Sequence, residues 1–168
     1  SIGGYNAAKL RRYQELFDWY MYDELNKNNV TDNKYLNMLN GKYFIYTSAQ
    51  TKEVAYGQNP KAYGNAWFVD SIKRVKDANE AILELEKINT RTTAMIEEVH
   101  HGLIKSDQLK KDSTAYISLT SYHPEELVYT SENSHDGFAI FSEVYYSAGW
   151  QAYIDGEPVD HIRVNYIY

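Results

Sequence analysis

The chain has 168 residues, enough for one domain or for one domain with a helical annex, and it carries a net charge of −6. Acidic and basic residues are interspersed without a lysine or arginine patch, so no nucleic-acid partner is expected. Cysteine is absent, which excludes a disulfide framework and a thiolate metal site. Seventeen tyrosines raise the aromatic fraction to 15%, a composition that suits half-buried sheets and binding surfaces.

The sequence contains no run of about 18 apolar residues, so this stretch is predicted not to span a bilayer. Its first residues give no start signal, and Tyr168 falls within an apolar run with no turn or cap after it. We therefore expect both ends to have been cut from a longer protein.

The first part of the chain alternates between helical and extended patterns. Leu10, Tyr13 and Phe17 recur at helical spacing and predict a helix over residues 7–25, with Asn6 as its N-cap. Asp77 followed by Glu80 has the spacing of a capping box and predicts the start of another helix. The other predicted elements are a helix over 34–40 that ends at Asn40-Gly41, strands over 42–47, 66–75 and 92–99, and a loop over 57–64.

From residue 113 onward, every pattern is that of a strand. Short extended runs are separated by turn signals, which is typical of an antiparallel β-sandwich. The predicted strands cover residues 114–122, 126–132, 137–146, 149–154 and 159–168. We therefore predict an α+β fold with N-terminal helices and a few strands in a mixed portion over residues 1–112. An antiparallel β-sandwich-like portion, cut short at its end, follows over residues 113–168, and both portions are compatible with one compact unit.

The strongest local signal is Asp155-Gly156 between two alternating runs. Both central residues of a type I′ hairpin turn need positive φ, and this pair supplies them. Alternation then places Trp150 and Ile154 on one face, predicted to be buried, and Tyr153 on the opposite, exposed face. The return strand is predicted to end as an exposed edge at the C-terminus, available for self-association.

Five stretches resemble, in order and over nearly the whole chain, sequence elements of the YfhO family of bacterial polytopic membrane proteins. Each is weak alone, but five in one order form a fairly specific pattern. They are residues 4–14 (GYNAAKLRRYQ), 36–45 (LNMLNGKYFI), 59–69 (NPKAYGNAWFV), 143–156 (EVYYSAGWQAYIDG) and 163–166 (RVNY). Ser147-Ala148 stands where the family usually has a proline, a difference that changes a turn and does not bear on chemistry.

The resemblance implies that this chain comes from the C-terminal part of a protein with many transmembrane helices and is exposed outside the cytoplasm. Some members of the family are linked to sugar transfer from a lipid carrier onto cell-envelope polymers. Their overall plan looks like that of lipid-phosphosugar-dependent glycosyltransferases. In those enzymes the acidic catalytic residue lies in an early loop between membrane helices, so the resemblance implies that catalysis takes place outside these residues.

The carboxylates of Glu143 and Asp155 could form a glycosidase-like pair, which requires a separation of about 5–9 Å. For Asp155 a turn residue is the favoured interpretation, and for Glu143 a solvated position on a strand face. Residues 97–101 (EEVHH) contain metal-ligand types without the HExxH spacing, so a polar loop is favoured over a metal site. We predict no catalytic residue, no metal and no cofactor in this segment.

Aromatic side chains are better candidates for binding, because their faces can stack on sugar rings. Tyr153, Tyr145 and Trp67 are the candidate ligand-binding aromatics, with Tyr153 favoured as an exposed platform. Lys9 and Arg12 on the first helix are candidates to meet an anionic lipid head group or a phosphate. For these two residues a solvated helix face is the favoured interpretation.

The favoured hypothesis is a non-catalytic extracytoplasmic domain of a YfhO-like membrane protein that supports lipid-linked sugar transfer to cell-envelope glycopolymers. Its expected partners are the membrane-embedded part of the same chain and a glycan or lipid-linked sugar. The first alternative is a stand-alone carbohydrate-binding β-sandwich module with a helical annex. The second is a hydrolase that uses Glu143 and another carboxylate, and it requires two acidic side chains that face one cleft.

Overall fold

The fold combines helices with small β-sheets, so the predicted α+β class is confirmed. The structure, a computed structural model, describes residues 10–22, 32–110 and 112–168. The chain divides into two compact units, Ser1–Gly64 and Asn65–Tyr168, which we call the N-terminal and the C-terminal unit. The predicted boundary between the portions 1–112 and 113–168 lies within the C-terminal unit.

The N-terminal unit contains a helix at the position that the apolar spacing predicts. Helix α1 spans Arg11–Leu16 and continues as a π-helical segment over Phe17–Met21. Leu16 and Met21 are fully buried and form its inner face. The predicted N-cap Asn6 and both ends of the predicted helix lie outside the described residues.

The second helix, α2, spans Lys34–Met38 and ends at the predicted Asn40-Gly41 signal. Its N-cap is Asn33, whose side-chain oxygen accepts two backbone N–H groups of the first turn at 3.0 and 2.9 Å. At the other end Asn40 has a φ of 54°, and the Gly41 N–H donates to the Leu36 carbonyl at 2.9 Å. Asparagine tolerates this left-handed conformation better than most residues, which explains why the helix ends there.

A hairpin follows, with β1 over Tyr43–Thr47 and β2 over Val54–Gln58. The sequence predicts β1 but not β2, because Gly57 is a loop signal when it is read alone. In the hairpin the Phe44 ring lies across Gly57, and a Cβ at this glycine would collide with that ring. The glycine inside this strand therefore allows close packing of the ring and does not form a turn.

Two buried asparagines join the loop after β2 to α2. The side-chain amide of Asn59 donates to the Asn37 side-chain oxygen at 2.8 Å and to the Gly41 carbonyl at 3.0 Å. The Asn59 N–H also donates to the Lys42 carbonyl at 2.8 Å. Each asparagine is less than 10% exposed, so these bonds replace the water that the amides lose on folding.

The core of the C-terminal unit is a parallel strand pair joined by a helix. Strands β3, Ala66–Val69, and β4, Ser71–Val75, replace the single strand predicted over residues 66–75. Strand β4 pairs in parallel with β5, Thr93–Glu97, and helix α3, Ala78–Leu85, supplies the crossover that parallel strands need. The buried side chains of these three elements are Ile72, Val75, Ala81, Ile82, Leu85, Ala94, Met95 and Ile96.

The predicted cap of α3 is confirmed. The Asp77 carboxylate accepts the N–H groups of Asn79 and Glu80 at 2.9 and 3.0 Å. The Glu80 carboxylate reaches back to the Lys76 N–H at 2.7 Å, one residue before the position of an ideal capping box.

The remaining strands pair antiparallel. A 3-10 helix over Glu98–Leu103 follows β5, and the strands after it are β6, Tyr116–His123, β7, Glu126–Glu132, β8, Phe138–Phe141, β9, Ala152–Ile154, and β10, Glu157–Val159. Their pairings are β6 with β7, β9 with β10, and β8 with β3. Every sheet of the described residues has two strands.

The predicted Asp155-Gly156 turn is confirmed, but its buried face is not. Asp155 and Gly156 have φ values of 52° and 85°, as a type I′ turn requires. Ile154, predicted to be buried, is 64% exposed, and Trp150 lies before β9 and is half-buried. Each strand of the hairpin has only three residues. Alternation gives such a hairpin two faces, but it does not establish that another element packs over one of them.

The prediction of a strand over residues 159–168 with an exposed edge is wrong. The chain leaves β10 at Val159 and ends in a turn in which Asn165 and Tyr166 have φ values of 48° and 76°. The Asn165 side-chain oxygen accepts the Met95 N–H at 2.8 Å, and its own N–H donates to the Met95 carbonyl at 3.0 Å. Residues 164–168 are buried against the unit itself, and self-association through this segment stays a prediction.

Candidate functional site

Tyr145, one of the predicted ligand-binding aromatics, lies among side chains that can carry positive charge. The guanidinium carbon of Arg163 lies 4.6 Å from the centroid of the Tyr145 ring, a cation-π distance. The ring centroids of His161 and His100 lie 5.5 and 6.4 Å from that of Tyr145. All four side chains are half-buried. We call these four residues the Tyr145 cluster.

The C-terminal turn brings Arg163 and Tyr145 together. The Tyr145 N–H donates to the Ile167 carbonyl at 2.8 Å, which fixes the segment after β8 against the chain end. Val164, next to Arg163, forms a bridge with Ile96 of β5. The backbone bonds of the C-terminal turn, which takes the place of the predicted strand, therefore also set the position of Arg163.

His100 is carried by the 3-10 helix, and Arg74 of β4 holds this helix in place. The Arg74 guanidinium donates to the carbonyls of His101 and Ile104, each at 3.1 Å, and to the Asp107 carboxylate at 2.7 Å. Several bonds from one planar group therefore hold the C-terminal half of the short helix and the segment after it. His100 consequently lies in a short helix that Arg74 holds, rather than in the polar loop that the sequence predicts.

His161 contributes an unsatisfied polar atom to the Tyr145 cluster. Its Nε2 atom is buried and makes no hydrogen bond. Buried polar atoms are nearly always hydrogen-bonded, so this atom has the capacity for one more partner. An oxygen atom of a small ligand or of water could fill that position.

A second half-buried pair lies near β7 and β8. Burial raises the pKa of the Glu143 carboxyl, and burial together with the Glu143 charge raises the pKa of the Tyr129 phenol to about 12. The Tyr129 ring packs edge-on against Phe141 at 4.9 Å, and its hydroxyl is buried without a hydrogen bond. The predicted solvated strand position of Glu143 is therefore wrong, because β8 ends at Phe141 and the carboxyl is half-buried.

The other residues of the candidate chemistry have simpler surroundings. Asp155 is exposed in its hairpin turn, as the favoured interpretation predicted. Residues 97–101, predicted as a polar loop, span the end of β5 and the first turn of the 3-10 helix. Within residues 10–22, 32–110 and 112–168, no group of three or more histidine, cysteine, aspartate or glutamate side chains is arranged to hold a metal ion.

Trp67 occupies the core of the C-terminal unit. Its side chain is 3% exposed, its indole N–H donates to the Thr90 carbonyl at 3.3 Å, and its ring meets Tyr168 edge-on at 6.2 Å. In this structure the ring has no exposed face to offer a ligand.

Tyr153 is exposed, as the hairpin alternation predicted. Its side chain is 59% exposed on β9, and its hydroxyl donates to the Gln151 side-chain oxygen at 2.9 Å. An accessible aromatic face with a polar tip is suited to contact a sugar ring.

The predicted cationic pair of the first helix belongs to the N-terminal unit. Arg12 is half-buried on α1, and Lys9 lies outside the described residues. The helices that the structure describes are each too short or too polar to cross a membrane.

Sequence reasoning identified Tyr145 but missed His161 and Arg163. Alternation over residues 159–168 placed Arg163 on a polar strand face, and nothing local signals contact with a tyrosine 18 positions earlier. The proximity of His161 and Arg163 to Tyr145 depends on the C-terminal turn. Asn165 was the available sequence signal for this turn, because asparagine is enriched at positive φ.

Comparisons of the chain with protein-family models, with curated proteins and with solved structures find no match.

Proposed function

We propose that this chain is a non-catalytic extracytoplasmic part of a YfhO-like membrane protein and supports lipid-linked sugar transfer to cell-envelope glycopolymers. Its partners would be the membrane-embedded part of the same protein and a glycan or lipid-linked sugar. We also propose that the C-terminal strands are arranged as a β-sandwich.

The observation that carries the proposal is that separate stretches of the resemblance meet in space. Asn37 and Asn59 come from the second and third stretches and share a buried hydrogen bond of 2.8 Å. Tyr145 and Arg163 come from the fourth and fifth and lie in cation-π contact at 4.6 Å. A scaffold common to all five stretches requires such contacts between them, and these two contacts support the proposal in that sense.

Cell fractionation with an antibody against this chain tests the proposal in the source cells. We expect the antigen in the membrane fraction and its digestion when protease is added to intact spheroplasts. Recovery in the soluble fraction, or protection from protease until the cells are lysed, would contradict the proposed location.

A stand-alone carbohydrate-binding module is the second candidate, and the exposure of Tyr153 favours it. The test is glycan binding by the purified chain, measured by calorimetry with Tyr153→Ala and with Tyr122→Ala as a matched control. Tyr122 is 66% exposed on β6, so both variants remove an exposed tyrosine from a strand of a two-stranded sheet. Loss of binding in Tyr153→Ala alone supports the module, and absence of binding by the wild-type chain excludes it.

A further inference from the structure

One face of the β1–β2 hairpin consists of exposed side chains without charge. Alternate residues of each strand share this face, and its three cross-strand pairs are Tyr43 with Gln58, Ile45 with Tyr56, and Thr47 with Val54. We call these six residues the hairpin face. Its four large apolar side chains are each between 64% and 77% exposed, so the face is open over its whole length.

The apolar side chains of the hairpin face form one continuous patch. Opposed side chains of an antiparallel pair lie about 5 Å apart, and diagonal neighbours lie about 7–8 Å apart. Tyr56 is opposite Ile45 and diagonal to Tyr43, while Ile45 is diagonal to Val54. Four large side chains with this exposure present roughly 500 Å² of surface. Patches of about 300–600 Å² are the largest on typical monomers and often serve for binding.

The other side of the hairpin is covered more fully, and the base of the hairpin is fixed. Phe44 and Gly57 pack together on that side and are half-buried. At the base the Asn59 N–H donates to the Lys42 carbonyl, and the Asn59 side chain joins the hairpin to α2 through Asn37. A partner would therefore meet a hairpin whose base is already held, which lowers the entropy cost of binding.

Charge helps to identify the occupant of the hairpin face. Of the 17 basic and 23 acidic residues of the chain, 8 and 6 lie in the N-terminal unit, which is therefore nearly neutral. A strongly charged partner would find no opposite charge on the face, and the net charge of −6 opposes approach to an anionic lipid surface. An uncharged apolar surface of similar size fits best, and the hairpin face of a second copy has these properties.

We propose that the hairpin face binds the same face of a second copy in a dimer with twofold symmetry. Such symmetry brings identical patches together, with the Ile45–Tyr56 pairs at the centre and Thr47 and Gln58 toward the rim. The two patches would bury roughly 1,000 Å² in total, near the lower limit for a specific interface. We therefore expect a reversible dimer with a Kd on the order of 100 µM.

The dimer goes beyond the proposed function and does not depend on it. Measurements on the purified chain test the dimer, whereas cell fractionation tests the location. Failure of one therefore leaves the other unaffected.

The test is sedimentation equilibrium of the purified chain from about 10 µM to about 1 mM, a range that brackets the expected Kd. We expect the mean mass to rise from 19.5 kDa toward twice that value and no further, because a twofold contact closes on itself. Over the same range, NMR signals of backbone amides in β1 and β2 should shift. A monomer at every concentration overturns the proposal, and so do shifts confined to other elements.

Matched variants show whether the dimer depends on the hairpin face. Ile45→Thr combined with Tyr56→Thr removes the two central apolar side chains and keeps residues that favour strands. We expect this double variant to raise the Kd at least about tenfold, because both copies lose apolar contact. The control combines Ile154→Thr with Tyr122→Thr, at 64% and 66% exposure in two-stranded sheets of the C-terminal unit. The control should keep the wild-type Kd.

Circular dichroism and urea unfolding establish that the variants are folded. If the double variant fails to fold, Ile45→Thr and Tyr56→Thr decide singly, and each should raise the Kd about threefold or more. An unchanged Kd in the folded variants of the face, or equal weakening by the control, overturns the proposal.

A lipid surface is the other occupant that the experiment distinguishes. The probes are vesicles of phosphatidylcholine with and without phosphatidylglycerol, separated from free chain by flotation. Vesicle binding by a chain that stays monomeric at 1 mM would overturn the dimer and assign the hairpin face to lipid. A dimer that loses its stability in the double variant supports the second copy.

Discussion

Replacement of Asn165 is the sharpest test of how the chain end is held. The residue is fully buried, its side chain accepts the Met95 N–H at 2.8 Å, and its φ is 48°. Alanine would leave that N–H without a partner, at a cost of about 1–3 kcal/mol. Alanine would also have to adopt the left-handed conformation, which costs about 1–2 kcal/mol. Loss of the unpaired Asn165 amide nitrogen offsets part of this, so we expect a loss of about 2–4 kcal/mol in the free energy of unfolding.

Glycine at the same position separates the two contributions. Asn165→Gly loses the hydrogen bond but adopts positive φ readily, so it should be more stable than Asn165→Ala by about 1 kcal/mol. The assay is urea unfolding followed by tryptophan fluorescence, together with hydrogen exchange at the Met95 amide. Asn79→Ala, at an exposed position of α3, is the control and should stay within about 0.5 kcal/mol of the wild type. If both Asn165 variants match that control, the account of the chain end is wrong.

Three further predictions address other parts of the fold. Asn59→Ala should lower the free energy of unfolding of the N-terminal unit by about 2–4 kcal/mol, because the Asn37 side chain and the Gly41 carbonyl lose their hydrogen bonds. Urea unfolding measures this change, and a change below about 0.5 kcal/mol would refute the stabilising role of Asn59. Gly156→Ala meets no steric clash, so its loss of about 1 kcal/mol should come from the φ of 85° alone, and an unchanged melting temperature would count against the turn. The hydrogen bonds from Lys73 and Lys87 lower the pKa of Glu84 from 4.5 to about 2. The stabilisation by Glu84 is therefore present above pH 4.5 and is lost as the pH falls toward 2. The difference in urea midpoint between the wild type and Glu84→Gln should shrink over that pH range. A difference that does not depend on pH would contradict the ion pair.

Local signals predicted those parts of the fold that depend on local chemistry. The cap at Asp77, the helix end at Asn40-Gly41 and the hairpin turn at Asp155-Gly156 each follow from the backbone preferences of one or two residues. Interactions within a few residues of sequence determine these features, so the surrounding fold leaves them unchanged.

The failed predictions share a tertiary cause. Gly57 lies in a strand because β2 pairs with β1, whose Phe44 ring covers it. The end of the alternating segment, residues 164–168, forms a buried turn in which Asn165 binds the backbone of β5. The Tyr145 cluster depends on that same turn, so the sequence pattern indicated Tyr145 alone. A contact between segments that are distant in sequence leaves no periodic signal in either one.

The most direct test of the proposed function is the sugar composition of the envelope glycopolymers in source cells that lack this gene. We predict that a sugar substituent is lost from a glycopolymer, that the corresponding lipid-linked sugar accumulates, and that the intact gene restores both. Unchanged glycopolymer sugars and unchanged lipid-linked sugars in the deletion strain would contradict the proposal.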